Sequence, residues 1–310
     1  MKIEVNHIDA IGARSTLSFD LSYLGFIKHF AWVGQNYMPT PQKLMRSLGM
    51  LLHYRLYLNR NIFNADRFSE PPMLLSDPTE KGHFSNLAGK AIADFLSKKI
   101  DGSLFTVNYE AAMRANGHRI RGARPDLIAY SQRSIFALEA KGRGQLNAGN
   151  MVQHKAQARS GPLAVHFSVA SIAYDIFNNV KCNYHDPYND NVQYPAGDLQ
   201  LLSQQYYKGL SEFLNREVFE YRVTVIQKEP FYVVTPRRAW LDKNFKREHF
   251  FWMELIYHYG PMLLLPANIR ELASMGLSAQ TIPFRFEQSG ENEQFLYIDA
   301  DRVGLGLTRW

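Results

Sequence analysis

Two acidic residues and a lysine near the middle of the chain have the types and spacing of a hydrolytic metal site. Asp126 follows Pro125, twelve residues intervene, and Glu139, Ala140 and Lys141 come next. Side chains alternate between the two faces of a β-strand, so Glu139 and Lys141 share a face if this apolar segment is a strand. Burying either charge is costly unless the group is paired or binds a metal. The pattern therefore indicates either a structural ion pair or a chemical site.

Phosphodiester hydrolysis is a reaction that uses such a set of groups. Paired carboxylates hold one or two Mg²⁺ ions, which prefer oxygen ligands and keep several of their waters. The metal activates water and neutralises the charge that develops on the phosphate oxygens. A neighbouring lysine orients the attacking water or helps to deprotonate it, and it stabilises the transition state. We therefore expect Mg²⁺ as the cofactor, with Mn²⁺ as the alternative.

The elements around these residues are predicted to bring them together. Asp126–Tyr130 and Ser134–Lys141 are predicted strands joined by a short polar turn. A hairpin sets the start of one strand beside the end of the other, so Asp126 is expected next to Glu139 and Lys141. The wider order of helix, three strands, helix and strand predicts an α/β fold with a mixed β-sheet flanked by helices. The other elements of this core are a helix over Ser85–Lys99, a strand over Leu104–Glu110, a helix over Asn150–Arg159 and a strand over Leu163–Ala170.

Further α and β elements are predicted on both sides of this core. On the N-terminal side they are a strand over Thr16–Leu21 and a helix over Pro41–Leu58. On the C-terminal side they are a helix that Asp198 caps and that ends near Leu214, strands over Tyr221–Gln227 and Phe231–Thr235, and a helix over Phe250–Tyr259. The sequence therefore predicts additional N- and C-terminal α+β segments.

The dipeptide Pro125-Asp126, followed by Glu139-Ala140-Lys141, resembles the PD-(D/E)xK signature of the restriction-endonuclease-like nuclease superfamily. The two predicted strands lie where that superfamily places them. The resemblance implies a restriction-endonuclease-like core in which Asp126 and Glu139 are metal ligands and Lys141 is the catalytic lysine. It covers roughly Ser85–Ala170 by element order. The expected divisions are an α+β segment packed on the core at 1–80, the nuclease core at 81–175 and an α+β segment at 176–310.

Such folds often recruit a further acid or a glutamine, and the chain offers candidates for both. Glu110, which ends the predicted strand before the motif, is preferred to Asp94 on the preceding helix. Gln153 and Gln157 lie four residues apart on the helix after Lys141, and therefore on one helix face. An ordinary exposed helix surface is the alternative explanation for both glutamines.

Positive charge is concentrated in the segment that contains the motif. The net charge is +6 and the pI is about 9.2. Residues 111–174 hold nine of the 35 basic residues but only two of the 29 acidic ones, which leaves 26 basic and 27 acidic residues elsewhere. Such an excess favours contact with nucleic-acid phosphates over a solvated loop. The predicted DNA contacts are Arg119, Arg121, Arg124, Arg143 and Lys155, with Arg237 and Arg238 beside Trp240 as a second patch for which a solvated helix face is equally open.

Composition and motifs disfavour several other classes. Cys182 is the only cysteine, so an internal disulfide and a zinc cluster built on cysteines are excluded. No apolar run reaches 18 residues, and the first residues lack the pattern of a secretion signal, so we expect a cytoplasmic location and no membrane partner. Gly89-Lys90 and Lys141-Gly142 lack the glycine spacing of a phosphate loop. Any helicase or ATPase activity would therefore come from a partner subunit.

The sequence predicts a metal-dependent DNA endonuclease, a phosphodiester hydrolase of a restriction or anti-phage defence system. The rival hypothesis is a catalytically silent DNA-binding or assembly subunit of a larger nucleic-acid-processing complex. RNA as the substrate is also left open, and so is a homodimer. Metal-dependent cleavage separates the first hypothesis from its rival.

Overall fold

The computed structural model describes residues 1–34, 68, 78–132, 134–186, 196–244, 261–277 and 296–307. These residues divide into two units, residues 1–186 and residues 196–307. The helices predicted over Pro41–Leu58 and Phe250–Tyr259 lie outside the described residues. No helix in the described ranges is both long enough and apolar enough to cross a membrane.

A seven-stranded mixed sheet forms the centre of the first unit. Its strands are β1 (Lys2–Ile8), β2 (Arg14–Asp20), β3 (Ser103–Asn108), β4 (Leu127–Ser131), β5 (Ile135–Gly142), β6 (Phe167–Tyr174) and β7 (Lys181–His185). Their order across the sheet is β2-β1-β7-β6-β5-β4-β3. The pairs β1/β7 and β5/β6 are parallel and the other neighbours are antiparallel. The predicted α/β fold with a mixed sheet flanked by helices is therefore confirmed.

Four described helices accompany this sheet: α1 (Tyr23–Trp32), α2 (Pro78–Ile100), α3 (Tyr109–Ala115) and α4 (Met151–Ala158). Helix α2 packs against β3, β5 and β6, and it buries Phe84, Ala88, Ile92 and Phe95 at helical spacing. Helix α4 packs against β5 and β6. It begins where the Asn150 side chain accepts hydrogen bonds from the backbone of Val152 and Gln153. These two helices are the ones that contact the strand carrying Glu139 and Lys141.

Several boundaries in this unit differ from the sequence-based prediction. Helix α2, expected over Ser85–Lys99, spans Pro78–Ile100, and β2, expected over Thr16–Leu21, spans Arg14–Asp20. Two further differences concern β3 and β6. The strand expected over Leu104–Glu110 ends at Asn108, where the Asn108 side chain caps α3 by accepting a hydrogen bond from the Ala111 backbone. Glu110 therefore lies in the first turn of a helix and does not end a strand. The strand expected over Leu163–Ala170 begins four residues later, at Phe167, because its parallel register pairs Phe167 with Phe136. An apolar run alone does not define the register of a strand.

The described elements of the second unit are α5 (Ala196–Ser211), a 3-10 turn (Glu212–Leu214), β8 (Phe219–Ile226), β9 (Glu229–Pro236), α6 (Arg238–Asn244), β10 (Pro261–Pro266), α7 (Ile269–Met275), β11 (Leu296–Ile298) and β12 (Gly304–Leu307). The five strands form an antiparallel sheet in the order β11-β12-β10-β9-β8, which packs around Phe231, Val233, Leu264 and Ile298. The expected strand pair is confirmed as β8 and β9. The helix expected to begin at Asp198 instead begins two residues earlier, at Ala196.

Candidate active site

The β4–β5 hairpin brings Asp126, Glu139 and Lys141 together. The antiparallel register pairs Leu127 with Leu138, and one further step along both strands sets Asp126 opposite Glu139. The ammonium of Lys141 lies 2.9 Å from Glu139 Oε1 and 3.4 Å from Asp126 Oδ2. Glu139 and Lys141 share a face of β5, as strand alternation predicts. The three side chains therefore form one cluster at the end of the hairpin.

Glu139 is the most deeply buried member of this cluster. Its side chain is 0% exposed, and its Oε2 atom has no hydrogen-bond partner among the described residues. Burial and then the negative charge of Asp126 raise the pKa of Glu139 to about 7, although the charge of Lys141 opposes both effects. A buried carboxylate oxygen without a partner costs free energy in the folded protein. Such an oxygen is suited to a ligand that brings positive charge.

Asp126 has a different environment on each of its two carboxylate oxygens. Its Oδ2 atom accepts a hydrogen bond of 3.2 Å from the backbone N–H of Ala140 and lies near the Lys141 ammonium. Its Oδ1 atom lies 2.9 Å from the ammonium of Lys90 on α2. The backbone hydrogen bond orients the carboxylate towards β5, and Lys90 contacts its outer oxygen.

The surroundings of Lys141 stabilise its protonated, positively charged form. Burial alone lowers the pKa of a lysine, but the carboxylates of Asp126 and Glu139 outweigh burial and raise the pKa of Lys141. The group is therefore an ammonium at neutral pH. It is able to donate hydrogen bonds and to stabilise negative charge, and it has no lone pair with which to accept a proton.

Lys90 is the member of the site that the sequence pattern missed. A Cβ atom on Gly89 would collide with the backbone of Lys141 and Gly142, and a Cβ atom on Gly142 would collide with the carbonyl of Ser85. Only glycines at these two positions let α2 approach β5 so closely. This approach carries Lys90, the next residue along α2, to Asp126. The local signal is the Gly89-Lys90 dipeptide, which lacks phosphate-loop spacing and by itself indicates no site.

The donor set at this cluster fits a hard divalent cation. It offers two carboxylates, one of them with a buried oxygen that lacks a hydrogen-bond partner in the described part of the chain. Oxygen ligands are those that Mg²⁺ and Mn²⁺ accept, and carboxylates also compensate the charge of the ion. Asp126 and Glu139, the ligands expected from the sequence, are the residues that would hold it.

Asp94, one of the two further acids considered, is engaged elsewhere. Its Oδ2 atom is 2.6 Å from His29 Nδ1, and its Oδ1 atom accepts a hydrogen bond of 2.7 Å from Thr106. Burial alone would raise the pKa of Asp94, but Lys98 and His29 outweigh it and hold the pKa well below its usual range. Both carboxylate oxygens are therefore used in a buried polar cluster that ties α2 to α1 and β3. Its carboxylate is not part of the Asp126 cluster.

Glu110, the preferred further acid, forms an ion pair with Arg124. The Arg124 Nε atom donates a hydrogen bond of 2.8 Å to Glu110 Oε1, and its Nη2 atom contacts the same oxygen. Glu110 lies immediately before the segment that showed the excess of basic residues. The charge of Arg124 is therefore balanced by an acid from just outside that segment. Glu110 is better explained as the partner that holds the loop before Asp126.

The two glutamines of α4 have different surroundings. Gln153 is exposed, whereas the Gln157 side chain donates a hydrogen bond of 3.2 Å to the backbone carbonyl of Arg124. Arg124 stands two residues before Asp126, so Gln157 helps to position the loop that leads into β4. Gln157, rather than Gln153, is the glutamine connected to the candidate site.

Arg143 is held near the end of β5 by a histidine and a glycine. Its Nη2 atom lies 3.3 Å from Nε2 of the buried His154, and Gly149, with φ of 75°, leaves room for the guanidinium. Burial, followed by the charges of Arg143 and Lys141, lowers the pKa of His154, so the neutral ring accepts a hydrogen bond from Arg143. Arg143 directly follows the last residue of β5, two positions after Lys141.

The remaining predicted DNA contacts differ in their exposure and in their contacts within the protein. Arg119 and Arg121 lie on the exposed loop between α3 and β4. Lys155 on α4 is half-buried, and burial followed by the charge of Arg159 lowers its pKa. In the second unit, Arg237 donates to the carbonyl of Arg216 and Arg238 pairs with Asp242 four residues on. Each arginine of the second patch thus has a contact within the second unit, and Arg237 is exposed.

No protein-family model, curated protein or solved structure matches the chain.

Proposed function

We propose that this protein is a metal-dependent nuclease that hydrolyses phosphodiester bonds of DNA at the Asp126, Glu139 and Lys141 cluster. A restriction-endonuclease-like core of the PD-(D/E)xK type is part of the same proposal. The observation that carries it is the pair of opposed carboxylates, of which Glu139 is fully buried with an Oε2 atom that has no hydrogen-bond partner in the described ranges. In a purely structural ion pair, every buried carboxylate oxygen should have a hydrogen-bond partner. A buried ion pair stabilises the fold little unless its other polar atoms are hydrogen-bonded as well.

The side chains have distinct roles in this proposal. Asp126 and Glu139 would hold Mg²⁺ or Mn²⁺, which when bound supplies an activated water and neutralises charge on the phosphate. The ammonium of Lys141 donates a hydrogen bond that orients the water and stabilises the negative charge of the transition state. The contacts of Lys141 with both carboxylates keep its ammonium beside the place where the metal and its water would lie.

DNA is the proposed substrate because cationic residues neighbour the cluster along the chain. Arg143 lies two residues beyond Lys141, and Arg119 and Arg121 lie on the exposed loop that leads towards Asp126. Cationic side chains that neutralise phosphates account for most of the affinity of proteins for nucleic-acid backbones. A restriction or anti-phage defence role, with or without a helicase or ATPase partner, would suit a nuclease of this kind.

The direct test is cleavage by the full chain with matched variants. Supercoiled plasmid, linear duplex, single-stranded DNA and RNA would each be incubated with Mg²⁺, Mn²⁺ or EDTA. Glu139→Gln and Lys141→Met should each reduce cleavage by at least about a hundredfold, because each removes a group that acts on the reacting phosphate. Glu4→Gln and Lys99→Met remove the same charges from exposed positions on β1 and α2, and they should cleave like the wild type.

The outcomes separate the proposal from its rivals. Cleavage that persists in EDTA or in both site variants would overturn the metal mechanism. Cleavage of RNA alone would keep the mechanism and change the substrate. Salt-sensitive DNA binding without cleavage, in the purified protein and in phage-challenged cells that carry wild type or Glu139→Gln, would instead identify a catalytically silent DNA-binding subunit.

A further inference from the structure

Lys90 contacts the site from α2, opposite the hairpin that carries the other three residues. Its ammonium lies 2.9 Å from Asp126 Oδ1, and its side chain is 30% exposed. The Gly89–Gly142 contact holds α2 at this distance from β5. Lys90 therefore occupies a defined place at the outer edge of the cluster, between the carboxylate and the solvent.

The two oxygens of Asp126 are not equally available to a metal ion. Oδ2 already accepts the backbone hydrogen bond from Ala140 and lies beside the Lys141 ammonium. Oδ1 has its contact with Lys90, whose ammonium is partly exposed and sits on a flexible four-carbon side chain. A cation that coordinates Asp126 through Oδ1 must therefore replace the Lys90 ammonium there or lie against it. Like charges at such a distance repel strongly, and a partly buried site screens them poorly.

We propose that Lys90 is an internal counter-cation of the metal site, which the incoming divalent ion displaces from Asp126 towards a substrate phosphate. This inference rests on the proposed nuclease function and adds an order of events to it. Without metal, Lys90 stabilises the cluster of carboxylates. Once metal is bound, the same ammonium is free to contact the DNA backbone. The contribution of Lys90 to DNA affinity therefore depends on the presence of the metal.

The first test measures metal binding alone, without substrate. Free Mn²⁺ would be titrated by electron paramagnetic resonance against the full-length wild type, Lys90→Met and Lys90→Arg. Lys90→Met should bind Mn²⁺ roughly three- to tenfold more tightly, because removing one partly exposed charge from beside the site is expected to have an effect of this size. Lys90→Arg keeps the charge and should stay within about twofold of the wild type. Lys99→Met removes a charge elsewhere on α2 and should leave Mn²⁺ affinity unchanged.

The second test measures binding of a fluorescent duplex oligonucleotide by anisotropy, in EDTA and in Ca²⁺, which takes the same oxygen ligands. In EDTA, Lys90→Met should bind the duplex like the wild type, because the ammonium is engaged by Asp126. In Ca²⁺ it should bind roughly three- to tenfold more weakly than the wild type. The coupling between metal binding and duplex binding is then weaker in the variant, and linkage requires the same reduction in both directions.

The results that overturn the inference differ from those that overturn the nuclease proposal. Unchanged or weaker Mn²⁺ binding by Lys90→Met, or an equal loss of duplex affinity with and without Ca²⁺, would make Lys90 an ordinary structural or phosphate contact. In either case, metal-dependent cleavage by the wild type would leave the nuclease proposal intact. Absence of Mn²⁺ binding by the wild type would overturn both.

Discussion

Gly89 of α2 and Gly142 of β5 contact each other through their backbones, and this contact sets the distance between α2 and the candidate site. A Cβ atom at either position would collide with main-chain atoms of the opposite element. Backbone atoms cannot rotate away from such a collision as a flexible side chain can. The reach of Lys90 to Asp126 therefore depends on two residues that have no side chain of their own.

The substitution Gly89→Ala is expected to destabilise the protein although alanine favours helix. Overpacking against a rigid backbone costs about 1–3 kcal/mol, more than the roughly 1 kcal/mol that alanine contributes over glycine in a helix. Gly82→Ala on the same helix is the control, since no atom lies within 4 Å of its added Cβ, and it should raise Tm. Thermal unfolding followed by circular dichroism measures both. A Tm that rises equally for the two variants would contradict the close packing.

In EDTA, Glu139→Gln should be more stable than the wild type at pH 8, although it removes a proposed catalytic group. The folded-state pKa of Glu139 is raised to about 7 from 4.5, so the folded protein holds this proton more tightly than the unfolded chain. Wild-type stability therefore falls as the pH rises between these two values, and glutamine removes this loss. The difference should be on the order of 1–3 kcal/mol at pH 8 and vanish below pH 4.5.

Denaturant unfolding at several pH values, with Glu4→Gln as the exposed control, measures this effect. Mg²⁺ should then stabilise the wild type but not Glu139→Gln, because only the former keeps both ligands. A variant less stable than the wild type at pH 8 would show that the buried carboxylate is satisfied by contacts within the protein.

The arginines before Asp126 should differ in how they affect DNA binding. Arg119 and Arg121 are exposed, whereas the Arg124 guanidinium is bonded to Glu110 and to the Gly122 carbonyl. Each phosphate contact contributes about 0.9 to the slope of log affinity against log salt. Replacing Arg119 and Arg121 with alanine should therefore reduce the slope by up to about 1.8, and Arg124→Ala should change it less. Fluorescence anisotropy across a salt series measures the slopes, and a larger effect of Arg124→Ala would reverse the assignment.

Asp94 is expected to matter for stability and not for metal binding. Asp94→Asn removes the buried charge that pairs with His29 and Lys98, and it should lower the free energy of unfolding by about 3 kcal/mol. Because the folded pKa of Asp94 is depressed, its stabilisation is present above the ordinary value of 3.8 and is lost as the pH falls below it. The Mn²⁺ affinity of the folded variant should stay within about twofold of the wild type. Loss of Mn²⁺ binding by a variant that still folds would make Asp94 a ligand.

Much of the candidate site follows from short-range regularities of the chain. The two-residue period of a strand places Glu139 and Lys141 on one face, and a tight turn between two apolar segments folds Asp126 back beside them. These relations involve residues within one hairpin, so local spacing is enough to predict them. The same holds for α4, whose capping residues Asn150 and Arg159 are the predicted limits.

Contacts between residues far apart in the sequence depend on tertiary packing, which local sequence patterns do not predict. Asp94 and Glu110 have the chemistry of a third metal ligand, and only the packing of α1 and the loop before β4 assigns them to His29 and Arg124. The sequence by itself determined the sheet-forming hairpin and the Asp126, Glu139 and Lys141 set, because periodicity and turn length act within one element. Tertiary structure alone brought Lys90 to Asp126, because the height and rotation of α2 over β5 depend on a backbone contact between glycines more than fifty residues apart.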